Sequence, residues 1–209
     1  MVTRNILLIS VTTMTTTKKY LALDGVACTT KSTILSHMAK QDGYTVHLID
    51  YKEITDLLKL GEDPIVDGMV YMMYRCNYTV KNQEHNRHLF DREPASAIIY
   101  RLIFSKHDDA TIQNYCNIMK RLKQTHIQQW QSIILLPCFG QEQLVVEMMT
   151  ARNNGIDWLD VEYVNRQRRV FLIWAHVMDY MVVYIDYTKN LDEQQQKVCS
   201  MIESAFSSE

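Results

Sequence analysis

Short runs of consecutive apolar residues alternate along this chain with longer stretches in which apolar residues recur every three or four positions. Residues 20–23 read as a buried strand. Residues 32–40 follow as a helix with Ile34, Leu35 and Met38 on one face, closed by Gly43. Residues 44–50 form a second strand, and a short helix with Ile54, Leu57 and Leu58 inward leads to a loop marked by Gly61 and Pro64. Met69, Met72, Met73 and Cys76 have helical spacing within 65–79. The segment 88–91 is a brief strand ending in charge, and 95–104 and 110–125 are helical. Residues 132–137 are a strong strand, and 141–152 a helix stopped by Asn153-Asn154-Gly155. A long helix is expected over 157–178 with Val161, Val164, Phe171, Trp174 and Ala175 inward, then a strand at 181–186 and a terminal helix at 191–206. Strands alternating with helices predict an α/β fold: a five-stranded parallel sheet with helices on both faces and ligands beyond the carboxyl ends of the strands.

Composition narrows this picture. A chain of 209 residues suits one domain, read here as an arm over 1–18 and a single domain over 19–209. The arm carries an apolar run at 6–11, too short for a membrane span, and a Thr-rich stretch at 12–17. A net charge of −2 gives no electrostatic case for binding nucleic acid or a membrane surface. The five cysteines form no Cys-x-x-Cys pair and the seven histidines show no ligand spacing, which speaks against zinc and for a reducing, intracellular compartment.

The chemistry concentrates at the first strand. Gly25-x4-Thr30-Lys31-Ser32 sits between an apolar strand and a helix, the setting of a phosphate-binding loop. Backbone N–H groups in such a turn cradle phosphate oxygens, and the helix N-terminus adds partial positive charge. Gly25, Val26, Ala27, Cys28, Thr29, Thr30, Lys31, Ser32 and Thr33 are therefore the candidate nucleotide-binding residues, with Lys31 reaching the β and γ phosphates and Ser32 placing its hydroxyl on Mg²⁺. The ligand implied is ATP with Mg²⁺. Thr30 stands where the usual pattern has a second glycine. Cys28 is open to two readings, a thiol activated by the helix terminus or a small loop filler. Other polar residues fall at strand ends on the same edge: Asp24, Asp50 with Glu53, and Asp91-Arg92-Glu93. Carboxylates there suit metal binding or proton acceptance, and an arginine suits a transferring phosphoryl group.

Phe90-Asp91-Arg92-Glu93-Pro94 resembles the Asp-Arg-His-Pro segment of herpesvirus-type thymidine kinases and, more loosely, the Asp-Arg segment of thymidylate kinases. Leu23-Asp24-Gly25 with Lys31-Ser32-Thr33, and the block from Ser132 through Arg152 to Ala175, are similar to the same family. The resemblance implies a P-loop kinase-like three-layer fold, a nucleoside or nucleotide small-molecule acceptor, and a homodimer. It gives Asp91 and Ser32 (or Thr33) to the metal, Arg92 to the acceptor's reacting end, Glu53 to the general base with Asp50 as rival, and Arg152 to the lid. Met69, Met72, Met73 and Tyr74 would face a flat base with Arg75 orienting it, or would simply be core. Three departures stand out: Thr30, Glu93 in place of His, and a lid segment over 150–157 with one arginine. Arg166, Arg168 and Arg169 point in different directions on a helix and read as a solvated face or a partner surface. Three functions fit this pattern: a deoxynucleoside or nucleoside-monophosphate kinase, a kinase-derived binding or structural protein without turnover, and a nucleotide-dependent switch.

Overall fold

A computed structural model describes residues 19–48, 64–78, 87–126 and 130–207. The strands are β1 (Lys19–Gly25), β2 (Tyr44–His47), β3 (Arg87–Asp91), β4 (Trp130–Pro137) and β5 (Met181–Ile185). The helices are α1 (Lys31–Met38), α2 (Pro64–Tyr78), α3 (Ser96–Phe104), α4 (Asp109–His126), α5 (Glu142–Arg152), α6 (Val161–Met178) and α7 (Leu191–Ser207). The strands form one parallel sheet in the order β2-β3-β1-β4-β5. β1 lies centrally: the chain leaves it through α1 for β2 on one side, and the later connection from β3 crosses to β4 on the other, so the crevice at the carboxyl end of β1 is the topological switch point.

Alternation along the strands divides the core. Leu21, Leu23, Leu89, Ile133, Leu135 and Ile185 pack against Ile34, Leu35 and Met38 of α1 and Val198, Ile202 and Phe206 of α7. Ile134 and Leu136 face the other way, onto a larger cluster built from α2 to α6 around Ile98, Leu102, Val164, Phe171 and Trp174. The fold is therefore helix, sheet, helix in three layers, each face of the sheet covered as a parallel sheet requires. No helix among the described residues is long and apolar enough to cross a membrane.

The elements agree with the hydrophobic pattern except at one strand end and one helix start: β2, expected to continue to 50, stops at His47, and Leu48 beyond it is exposed. α6 begins at Val161 rather than at 157, because the Asp160 carboxylate accepts the Tyr163 amide at 2.6 Å and caps the helix there. Asp157 is instead held in the preceding turn by Arg152 and Asn154. Val161, expected inward, consequently sits in the first turn 38% exposed. The expected arm over 1–18, the short helix around Leu57, and Asp50 and Glu53 lie outside the described residues.

Candidate active site

β1 ends in a turn that only glycine can make. Gly25 has φ 120°, and a Cβ built there would lie 2.0 Å from the Leu135 carbonyl oxygen on β4. The next amide, Val26, donates to that same carbonyl at 3.0 Å and moors the loop to the sheet. Beyond it the backbone changes hand at each step. Cys28 (φ 59°) and Thr30 (φ 61°) are left-handed, whereas Thr29 between them is not. This alternation turns successive N–H groups toward one centre, the geometry of an anion nest. For L-residues it costs about 1–2 kcal/mol at each position, and Thr30 has no capping bond to α1 that would offset it.

The loop amides fall into two groups. Gly25 N donates to Asp24 Oδ1 at 3.1 Å, Val26 N to Leu135, and Ala27 N to Gln167 Oε1 on α6 at 3.0 Å. The amides of residues 28–32 have no acceptor among the described residues. The root of the loop is tied down and the nest itself is open.

Lys31 lies folded across the loop. Its Nζ donates to Val26 O at 2.6 Å, Gly25 O at 3.2 Å and Thr29 Oγ1 at 3.1 Å. Burial, aided by the Arg92 charge, lowers its pKa to about 8. Two tyrosines brace the same loop: Tyr100 Oη donates to Gly25 O at 3.2 Å and Tyr187 Oη, just past β5, to Cys28 O at 3.0 Å. Burial pushes the Cys28 thiol up against the pull of Arg152 and Lys31.

The opposite wall comes from the end of β3. Arg92 (φ 70°) anchors through its amide to Leu23 O at 3.1 Å and lays its guanidinium over the Tyr100 ring, 4.1 Å from the centroid. Asp91 acts electrostatically on Lys31, as does the fully buried Asp24, which accepts from Ser96 Oγ. Burial raises the Asp24 pKa against the pull of Arg92 and Ser96. Arg75 turns onto the protein's own backbone. It is buried and donates to the carbonyls of Arg92 (2.8 Å) and Glu93 (3.4 Å), fixing the turn that aims Asp91 and Arg92. Glu93 turns into the core. Its Oε2 accepts from Ser132 Oγ at 2.6 Å and Tyr180 Oη at 2.7 Å in the core. Burial raises its pKa to about 6.

Arg152, at the end of α5, pairs with Asp157, whose other oxygen accepts from Tyr163 Oη at 3.2 Å. It lies close enough to the loop to act on the Cys28 thiol. Of the three downstream arginines, Arg169 is exposed to solvent and Arg166 and Arg168 are partly buried. Arg166 binds Glu162 (2.6 Å) and the Ile103 carbonyl (3.5 Å), Arg168 binds Glu142 (2.7 Å), and Arg169 binds Asp109. They hold α6 to α3, α5 and α4. Among the proposed base-facing methionines, Met72 is core, Met69 is half-buried against it, and Met73 is 43% exposed.

Gln167, Tyr100 and Tyr187 escaped the sequence reading. Gln167 had a signal: it interrupts the apolar stripe of α6 between Tyr163, Val164, Val170 and Phe171. Among the described residues no group of three or more His, Cys, Asp and Glu side chains is placed to hold a metal. Ser32, exposed at the start of α1, and Asp91 make a donor set that fits Mg²⁺ only when phosphate oxygens and water complete it.

No family model matches the chain. Among solved structures it is similar to deoxyadenosine kinase from M. mycoides, with TM-score 0.58 and 14% identity over 89% of this chain and 99% of that one. It is also similar to thymidylate kinase from Ehrlichia chaffeensis, with TM-score 0.56 and 14% identity over 89% and 98%. The fold is that of the P-loop nucleoside and nucleotide kinases. In sequence the chain is 35% identical over 188 residues to an uncharacterized 33.9 kDa protein in the PE 3′ region of Lymantria dispar multicapsid nuclear polyhedrosis virus. That match covers 87% of this chain, which spans 62% of the relative's length.

Proposed function

We propose that the chain is a nucleoside or nucleoside-monophosphate kinase, thymidine kinase-like in its acceptor class, that transfers the ATP γ-phosphoryl group to a deoxynucleoside. The observation that carries this reading is the pair of left-handed residues, Cys28 and Thr30, flanking Thr29, in a loop whose amides at 28–32 have no acceptor among the described residues. Strain of this kind persists where surrounding structure enforces it, and it concentrates at ligand sites. In the reaction, Lys31 leaves the Gly25 and Val26 carbonyls for the β and γ phosphates. The amides of residues 28–32 hold phosphate oxygens, and Arg92 and Arg152 neutralise charge on the transferring group. Ser32 and Asp91 would hold Mg²⁺, which when bound screens the phosphates' charge. Glu53, with Asp50 as the alternative, takes the proton of the attacking hydroxyl. Catalysis on this plan is positioning and charge neutralisation rather than covalent chemistry. A reducing compartment, in which the free Cys28, Cys116, Cys138 and Cys199 stay thiols, and a homodimer belong to the same proposal.

Calorimetry of the pure chain with ATP, ADP and thymidine, with and without Mg²⁺, tests the donor and acceptor sites. Radiolabelled transfer from ATP across the deoxynucleosides and their monophosphates tests the chemistry. ATP binding with transfer to at least one acceptor is expected; absence of turnover on all of them removes the kinase reading. A second reading, a kinase fold kept for binding or assembly, draws support from Lys31 held on its own loop and Arg152 paired with Asp157. Under that reading Lys31→Ala leaves the biological role intact.

A further inference from the structure

Gln167 is fully buried in the middle of α6, and only half of its side-chain amide is used. Oε1 accepts the Ala27 amide at 3.0 Å, while Nε2 is buried with no partner. A buried amide donor without an acceptor carries a desolvation penalty that nothing in the protein offsets. The unsatisfied group belongs to the same planar amide that touches the phosphate loop, next to the first of the open amides at Cys28. Cations stand close by: Arg152 and Lys31 act on the Cys28 thiol and Arg92 and Arg152 on the Tyr163 phenol, with Asp157, the partner of Arg152, opposing them at both. Tyr163 lies one helical turn before Gln167 on the same face of α6.

Resting on the nucleotide-kinase reading, we infer that Gln167 is a specificity-determining residue for the donor: its Nε2 donates to an oxygen of the terminal phosphate of a nucleoside triphosphate. The position follows from convergence. Arg92 and Arg152, the cations assigned to the transferring group, both act on Tyr163, one helical turn before Gln167, and Gln167 adds a neutral donor beside Ala27. The inner phosphates lie on the amides at the α1 end of the nest, so a diphosphate leaves Nε2 unpaired and a triphosphate satisfies it. A neutral donor at this point also supplements a lid that carries a single arginine in 150–157.

The test is nucleotide discrimination, measured by calorimetry with ATP and ADP on the whole chain. Gln167→Met keeps the side chain's length and removes both the donor and the acceptor that holds Ala27. Its affinity for ATP should fall about tenfold more than its affinity for ADP, and the melting temperature of the free protein should drop by several degrees because the Ala27 amide loses its acceptor. Gln167→Glu, which retains an acceptor for Ala27 and deletes the donor, should also weaken ATP more than ADP, and it serves if the Met variant fails to fold. Equal weakening of both nucleotides assigns Gln167 to the loop's structure alone and overturns the inference, as does an unchanged ATP affinity. Wild-type protein that binds neither nucleotide overturns the kinase reading and this inference with it.

Discussion

Thr30→Gly should make the protein more stable, although it deletes a side chain. In the native loop Thr30 is held at φ 61°, where an L-residue costs about 1–2 kcal/mol. Its Oγ1 is buried without a partner, a further penalty on the order of 1 kcal/mol. Glycine removes both. Against this stand the greater unfolded-state freedom of glycine, about 0.5–1 kcal/mol, and the partly buried methyl, about 0.5 kcal/mol. The balance favours the variant by about 1 kcal/mol, equivalent to a rise in melting temperature of roughly 2–4 °C for a domain of this size. Thr29→Gly is the control. Thr29 is buried, is not left-handed, donates to Val26 O at 2.8 Å and accepts from Lys31 at 3.1 Å. Its replacement should lower stability by about 2–3 kcal/mol. Thermal unfolding followed by circular dichroism, with and without ATP, reads both variants. Thr30→Gly should also bind ATP more tightly, because a Cβ leaves the rim of the nest. A fall in melting temperature of 2 °C or more for Thr30→Gly would show that the loop stores no strain at this position and refute the reasoning.

Gly25→Ala should be the most damaging single change in the loop, because the new Cβ meets Leu135 backbone atoms that cannot move without parting β1 from β4. A loss above about 4 kcal/mol is expected in a denaturant titration. Glu93 has a folded pKa raised from 4.5 to about 6, so the folded state keeps a proton that the unfolded chain has already released. Stability should therefore fall by about 2 kcal/mol as pH rises through that window and then level off. Glu93→Gln should flatten this step when stability is measured at pH 4.5 and 7. Lys31, lowered to about 8, regains its proton on meeting phosphate. ATP binding at pH 8.5 should take up protons, visible as heats that vary with buffer ionisation enthalpy, and affinity should weaken above pH 8. Lys31→Met should abolish that proton uptake.

Much of the fold was readable because a parallel sheet writes its strands as unbroken apolar runs, as in Leu21-Ala22-Leu23 and Ile133-Ile134-Leu135-Leu136. The start of α6 was not. Asp157 and Asp160 are both plausible caps, and the choice rests on Arg152 and Asn154 taking the first and leaving the second for Tyr163. In the site, Gly25 and Lys31 were legible from local spacing. Cys28 was open to two readings, an activated thiol or a loop filler, and neither foresaw its left-handed backbone, which shows in coordinates and not in residue type. Glu93 and Arg75 looked like ligand-facing charges because strand ends and helix faces do not reveal which way a side chain turns. Their partners, Ser132, Tyr180 and the Arg92 carbonyl, come from distant elements. Gln167 reaches Ala27 from α6 for the same reason, and only its interruption of an apolar stripe hinted at a polar task.

Backbone amide shifts recorded by NMR during an ATP titration address the nest most directly. The amides of residues 28–32 should move furthest, saturating together, while Ala27, held by Gln167, and Val26, held by Leu135, move little. An unperturbed loop at millimolar ATP, or shifts confined to other parts of the chain, would contradict the claim that this strained turn is built to hold phosphate.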